Sequence, residues 1–336
     1  MNEERYRGIN DYKVIVDSTA DFELCNTDPN IVTVTTPLMI GDEDWSKRFP
    51  DPFYERQEQL CINNWSPMEI RTSPPSPEQI REVYEKVLSS GHDAIYATMS
   101  STLSDTFKIA KDVCIDINRS GKFANRAVCI DTLCISAGIA FLVEHLIRNC
   151  KTTYEALVYI LKRRHDIVYL FSVEDLSTLI ESGRVNHLSN ELTSFKRAKP
   201  VFTYDFNPHG FREVMLLGKC YSVNSVCKKM MKIALSDIGP RKVYLVHANN
   251  PNAIGKLYNL AKNERLEIKG QTSFRKQFAN CYRISPAMGA HLGYSAFGMV
   301  YMRNPDSHPG AKEHLLSQHQ APLEQSMAGQ DPKWIF

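Results

Sequence analysis

The sequence predicts an α/β fold of two domains: an N-terminal parallel-sheet α/β sandwich, then a C-terminal mixed or antiparallel sheet with helices packed on it. Three observations predict this. Strands and helices alternate through the first half, hairpin-like strand pairs enter only in the second, and 336 residues exceed the usual size of one core. The boundaries read as an N-terminal extension over 1–12, domains over 13–167 and 168–303, and a flexible tail over 304–336. That tail holds Pro, His, Gln and Ser with little periodicity.

In the first half, Lys13-Val14-Ile15-Val16 is a β-branched run that stops at Asp17-Ser18-Thr19-Ala20-Asp21, a buried strand feeding a loop. A second strand is expected over 31–37. Residues 41–71 read as a long irregular connection with one amphipathic piece near 53–60. Then Ser76, Pro77 and Gln79 spell a capped helix start. Ile80, Val83, Tyr84, Val87 and Leu88 follow at helical spacing, and Gly91 marks the stop. A strand over 94–99 gives way to Ser100-Ser101-Thr102-Leu103-Ser104 and a helix bearing Phe107, Ala110, Val113 and Ile117. The strand 127–130 closes on Asp131-Thr132, before helices expected near 136–148 and 153–165.

The second half predicts a strand over 168–173 and a short helix over 175–182. Strands over 200–204 and 213–221 flank the turn-like Asn207-Pro208-His209-Gly210. A helix over 222–236, a strand over 242–247, a helix from Pro251 to about 262, and strands near 277–284 and 296–302 complete the reading.

Bulk properties exclude several classes. Forty basic against 38 acidic residues leave a net charge of +2, with no electrostatic footprint for nucleic acid. The basic groups Lys162-Arg163-Arg164 and Lys196-Arg197 read as solvated faces. Nine cysteines without a C-x-x-C pair read as small buried hydrophobes of a reducing, cytoplasmic compartment. The polar start Met1-Asn2-Glu3-Glu4 predicts no signal peptide. The apolar stretch 135–143 is too short to cross a bilayer, so no stable membrane insertion is expected. No histidine spacing suits a metal, and no nucleotide motif implies a cofactor.

The chemistry that remains lies in hydroxyls at the ends of strands: Ser18-Thr19, Ser100-Ser101-Ser104 and Thr132, with Thr72-Ser73 just before the capped helix. The carboxyl ends of parallel strands face one crevice, where ligands settle. Hydroxyls and free helix N–H groups there favour an anion, and the absence of Lys or Arg from these loops suits a single carboxylate better than a polyphosphate. Each hydroxyl alone is more often a cap or turn residue; recurrence on successive loops is what suggests a site. Ser225-Val226-Cys227-Lys228 matches S-x-x-K without its companion motifs. His247 ends a strand, and His291 sits in the Gly-rich Gly289-Ala290-His291-Leu292-Gly293.

Taken in order, these segments resemble the DegV family of fatty-acid-binding proteins. Asp17-Ser18-Thr19-Ala20-Asp21 resembles its opening motif, Thr72-Ser73-Pro74-Pro75-Ser76 its T-S-x-P-S, and Ser100-Ser101-Thr102-Leu103-Ser104-Asp105-Thr106 its S-S-x-L-S-G-T, with Asp105 in place of Gly. Glu181-Ser182-Gly183-Arg184-Val185, Lys199-Pro200-Val201 with His209-Gly210, His247-Ala248-Asn249-Asn250-Pro251 and the stretch 289–298 are similar to its later blocks. The resemblance implies one long-chain fatty acid between two domains. Its carboxylate would be held by Thr72, Ser73, Ser100 or Ser101, and His291, with Ser18, Thr19, Ser104 and Arg184 in support. It also implies a carrier without cofactor or catalytic residues that presents the acid to a separate fatty-acid kinase. The rival is a hydrolase or transferase with Ser101 as nucleophile and His291 as base. A third reading is a regulatory protein that uses lipid occupancy as its signal.

Overall fold

The computed structural model describes residues 11–21, 28–48, 50–62, 70–192, 198–207, 211–269 and 281–304. The expected N-terminal extension up to residue 10, the Pro208-His209-Gly210 turn, Lys196-Arg197, the start of the strand expected at 277 and the tail beyond Asn304 lie outside these residues.

The first half opens with β1 (Tyr12–Asp17) and β2 (Ile31–Val34), followed by β3 (Leu38–Ile40), β4 (Glu43–Asp44), helix α1 (Pro50–Ile62) and β5 (Ile70–Thr72). Next come α2 (Pro77–Ser89), β6 (Asp93–Thr98), α3 (Thr106–Ser120) and β7 (Ala127–Asp131). The main sheet runs β2-β1-β6-β7 with every pair parallel, Val14 facing both Ile31 and Ile95. Burial on both faces explains why these strands read as unbroken apolar runs. The start of α2 forms as its sequence predicts. Ser76 Oγ accepts from Gln79 N and Gln79 Oε1 accepts from Ser76 N, a reciprocal cap whose loss would cost about 1 kcal/mol.

Residues 41–71 depart from the expected irregular connection. They carry α1 and two strands of a small antiparallel sheet, β4-β3-β5. These strands are two or three residues long, too short for alternation to register. The inward face of α1 is part polar: Gln57 donates to Gly289 O at 3.0 Å and Tyr54 donates to Ile284 O at 3.1 Å. That mixture blurs the apolar stripe.

Helix α4 (Ala137–Asn149) is the apolar stretch of the sequence, and nearly all of its first two turns is buried. It lies between two sheets, which requires apolar residues all round. Tyr12 of β1 donates to Leu146 O at 3.0 Å on one side, and the Phe141 ring meets Tyr244 edge-on on the other. Gly138 lets the Tyr169 hydroxyl reach Ile135 N and O; a Cβ there would lie 1.7 Å from that oxygen.

After α5 (Thr153–Arg163) the second sheet begins with β8 (Ile167–Ser172). Two short helices, α6 (Ser177–Glu181) and α7 (Ser189–Leu192), lead to the antiparallel pair β9 (Lys199–Phe206) and β10 (Arg212–Cys220). Then follow α8 (Val223–Asp237), β11 (Ile238–His247), α9 (Pro251–Asn263), β12 (Glu267–Lys269), β13 (Tyr282–Arg283), α10 (Pro286–Leu292) and β14 (Phe297–Arg303). The order is β10-β9-β8-β14-β11-β12, with β13 also on β11. Pairs are antiparallel except at β12 and β13, which makes the sheet mixed.

Three cores follow. One packs α2 and α3 on the outer face of the first sheet, and another packs α8 and α9 on the outer face of the second. The third fills the space between the sheets around α4 and α5, joining Val14, Ile95 and Tyr12 to Tyr169, Phe202 and Tyr244. Cys114, Cys129, Cys134, Cys150, Cys220, Cys227 and Cys281 are buried free thiols, and burial pushes those of Cys114 and Cys281 up to about 12. Among the described residues no helix is long and apolar enough to cross a membrane.

Candidate functional site

The loops that leave the carboxyl ends of β1, β6 and β7 face the inner side of the second sheet. Between them lies a cavity of about 230 Å³. Met99, Leu103 and Ile135 line it from the first half; Tyr169, Phe171, Met299 and Val300 line it from the second sheet. Ile284, Met288 and Leu292, in and beside α10, complete an apolar wall. Polar side chains interrupt that wall at Thr19, Thr36, Thr72, Ser73, Ser104, Asp105, Ser136, Arg184 and His291.

Thr72 ends β5 and His291 lies in the last turn of α10. Their side chains meet at 2.7 Å between Oγ1 and Nε2 across 219 residues of sequence. Both of them, with Arg184, also line a more open cleft beside Arg71, Thr178 and Glu181. The Thr72–His291 contact therefore lies on wall shared by the inner cavity and the outer cleft. Burial, and then the positive charge of Arg184, push the His291 ring down to about 4, so it is neutral at pH 7. With hydrogen on Nε2 the ring donates to Thr72 and leaves the threonine hydroxyl hydrogen for another acceptor; in the other tautomer the hydroxyl donates to the ring. Ser73 is placed by its own N–H, which donates to Pro37 O at 3.2 Å.

The other hydroxyls have different destinations. Thr19 reaches the cavity wall while its hydroxyl donates to Asp17. Ser18 Oγ accepts from Thr36 N at 3.0 Å and serves the loop instead. Ser100 is buried, and its Oγ accepts from Tyr204 of β9 at 2.6 Å. Ser101 Oγ donates to Asp131 at the end of β7. Ser104 lines the cavity, its Oγ 2.9 Å from Thr106 Oγ1. Thr132 donates to Thr98 O at 2.7 Å and ties β7 to β6. So the cavity gathers Thr19, Thr72, Ser73, Ser104, Arg184 and His291, whereas Ser18, Ser100 and Ser101 turn to protein partners. Ser101 and His291 are not partnered with each other, Asp131 holding the one and Thr72 the other.

Two wall residues, Thr36 and Ser136, escape the sequence reading, whereas Asp105 stands in a motif that the sequence singles out. Thr36 follows β2 as Ser18 follows β1, so the strand-end rule could have found it. Its hydroxyl is buried with no hydrogen-bond partner among the described residues. Ser136 and Asp105 stand at helix starts, yet neither side chain caps its own helix. The S-x-x-K match is accounted for locally, because Ser225 closes a capping box with Ser222 at the start of α8.

Comparisons with known proteins agree with this architecture. The model of the DegV family, described as uncharacterised proteins, matches residues 11–304. A DegV domain-containing protein of Staphylococcus aureus is 24% identical over 295 residues, which is 86% of this chain and 98% of that one. Another from Mycoplasma genitalium is 23% identical over 304 residues, covering 85% and 96%. Among solved structures, a fatty-acid-binding DegV family protein from Thermus thermophilus has a TM-score of 0.70 at 19% identity, over 87% of this chain and 99% of that one. A stearic-acid-binding protein from Eubacterium ventriosum has a TM-score of 0.69 at 16% identity, covering 88% and 100%. The match across nearly the whole described chain, in family model and in fold, makes this protein a member of the DegV family.

Proposed function

We infer that this protein is a carrier for one long-chain fatty acid. The tail fills the cavity between the sheets, and the carboxylate lies against Thr72, Ser73 and His291. The observation that carries this reading is an apolar cavity with the Thr72–His291 pair on the wall it shares with the outer cleft. Burying an acyl chain is worth about 0.8 kcal/mol per methylene, so roughly a dozen would contribute on the order of 10 kcal/mol before association costs. The tail supplies affinity and the hydroxyls supply position. Fatty-acid binding by solved members of similar fold, from Thermus thermophilus and Bacillus subtilis among others, supports the same ligand class.

Arg184 lends positive charge near the head group and Thr19 and Ser104 add polar wall; Ser100, Ser101 and Ser18 act behind them by holding the loops. A neutral His291 takes up a proton more readily beside a carboxylate, which gives a charge-assisted hydrogen bond. In this reading the units 13–167 and 168–303 clasp the acid between them. The open cleft outside Thr72 and His291 supports presentation of the head group to a separate fatty-acid kinase, which would form the acyl phosphate.

Mass spectrometry of lipid extracted from the purified protein tests the carrier. The expected result is one fatty acid per chain, with retention lowered in Thr72→Ala; an empty wild type, or equal retention by the variant, removes the ligand or the residue. Acid-loaded protein mixed with a fatty-acid kinase, ATP and hydroxylamine tests the partner. Failure to trap a hydroxamate would end that part alone.

A further inference from the structure

Asp21 connects the two walls of the cavity. It stands just beyond β1 with φ at 44° and is buried. Its Oδ2 accepts from Ser136 Oγ at 2.6 Å, and its Oδ1 accepts from Ser285 N at 2.6 Å, 264 residues away. Ser136 occupies the cap position of α4 at φ 48°, but its hydroxyl is turned from its own helix to Asp21. Ser285 caps α10 by accepting from Met288 N at 3.4 Å, which leaves its own N–H for Asp21. One carboxylate thus ties the β1 loop to the starts of α4 and α10.

The consequence runs along α10. This helix is seven residues long, Ile284, Ala287, Met288 and His291 all line the cavity, and Tyr54 packs against Gly289. His291 lies six residues beyond Ser285, roughly 9 Å along a helix axis, so a small rotation at the anchored end becomes a large displacement at the ring. We propose that Asp21 is a positioning residue that sets where α10 sits and hence brings His291 into register with Thr72. The proposal rests on the carrier reading only for its effect on ligand affinity.

Ser285 N can only donate and so needs an acceptor, whereas the Ser136 hydroxyl can meet either an acceptor or a donor. Burial pushes Asp21 up to about 7, opposed by the bonds from Ser136 and Ser285 and reinforced by Asp17 of β1. Tyr54 of α1 also faces it, with Arg283 over the Tyr54 ring. Protonation puts a hydrogen on the Ser136 side, where the hydroxyl oxygen can accept it, so the connection itself survives. Asn keeps one acceptor for Ser285 N and turns its amide hydrogens toward Ser136 Oγ, so Asp21→Asn preserves the connection without titrating.

The test reads the His291 ring titration by NMR in lipid-free protein and the affinity for stearic acid, in Asp21→Ala, Asp21→Asn and Ser136→Ala. In the wild type, burial and Arg184 should hold the ring near 4. Asp21→Ala should move it toward the free-histidine value and weaken stearic acid by about tenfold, as loss of buried hydrogen bonds predicts. Ser136→Ala should move both the same way by less, and serves if the Asp21→Ala chain does not fold. Asp21→Asn should stay near wild type in both. Wild-type titration in Asp21→Ala and Ser136→Ala, or Asn as impaired as Ala, would overturn the proposal. If the wild type ignores stearic acid, the carrier reading fails, while the lipid-free titration still decides the role of Asp21.

Discussion

The loops at 72–74 and 100–104 carry the same kind of side chain and use it in opposite directions. Thr72 and Ser73 face the cavity, where Thr72 meets only a neutral imidazole that can yield to a ligand. Ser100 and Ser101 hydrogen-bond to protein, Tyr204 of the second sheet holding one and Asp131 the other, while Leu103 and Ser104 of the same loop line the cavity. A hydroxyl at a strand end thus either borders the cavity or acts as a rivet, and what stands opposite it decides. Here Thr72 borders the cavity, Ser100 meets the second sheet through Tyr204, and Ser101 turns back to its own sheet at Asp131.

The seam between the sheets should be more fragile than the cavity wall. In Gly138→Ala the new methyl group would overlap the Tyr169 hydroxyl, whose two bonds to Ile135 join the sheets. Better helix propensity would return about 1 kcal/mol, but overpacking costs on the order of 3 kcal/mol, so a lower urea midpoint is expected. An unchanged midpoint would show that the seam yields easily. Thr72→Ala should do the reverse, leaving the midpoint in place while fatty-acid affinity in a displacement titration falls about tenfold. Tyr204→Phe removes the bond to Ser100 and its 2.8 Å contact with Thr102. It should cost about 1 kcal/mol of stability with little change in affinity; the opposite split would make Ser100 a ligand donor. Ser101→Ala should be the mildest, about 0.5 kcal/mol, because that residue is exposed.

Acid and base should separate the regions as well. His291 is held near 4, below its unfolded value of 6.5, so the unfolded chain takes up the proton first and stability falls as pH drops from about 6.5 to about 4. Asp21 runs the other way. Its folded value near 7 lies above that of a free carboxylate, so its contribution is greatest in acid and is lost as pH rises through about 7. The two windows overlap between about 4 and 6.5 with opposite signs, so as pH falls through that range His291→Gln should make stability fall less steeply and Asp21→Asn should make it fall more steeply. A curve unaltered by either change would mean that these groups are solvated.

Local chemistry carried much of the fold in advance. The reciprocal cap at Ser76 and Gln79, the apolar runs of β1, β6 and β7, and the all-round apolar character of α4 are each short-range patterns whose cause lies within a few residues. For that reason the alternation of the first half and the mixed sheet of the second could be anticipated. The strand-end rule also found which loops bear hydroxyls. It could not tell Thr72 from Ser101, because the partners that distinguish them, His291 and Asp131, lie 219 and 30 residues away. The amphipathic piece near 53–60 marked the middle of α1, but its full extent and the small sheet around β3 were hidden: a polar inward face suits Gly289 and Ile284, which only folding brings near.

The amino-acid order by itself determined the class of fold, the family and the set of hydroxyl-bearing loops, since periodicity, capping and motif order are properties of neighbouring residues. Tertiary structure alone decided which hydroxyls face open space, that Asp21 bridges two walls, and that a histidine buried beside Arg184 is neutral. Those properties depend on what lies across a gap, and hydrogen-bond direction and desolvation have no value until the chain has closed around them.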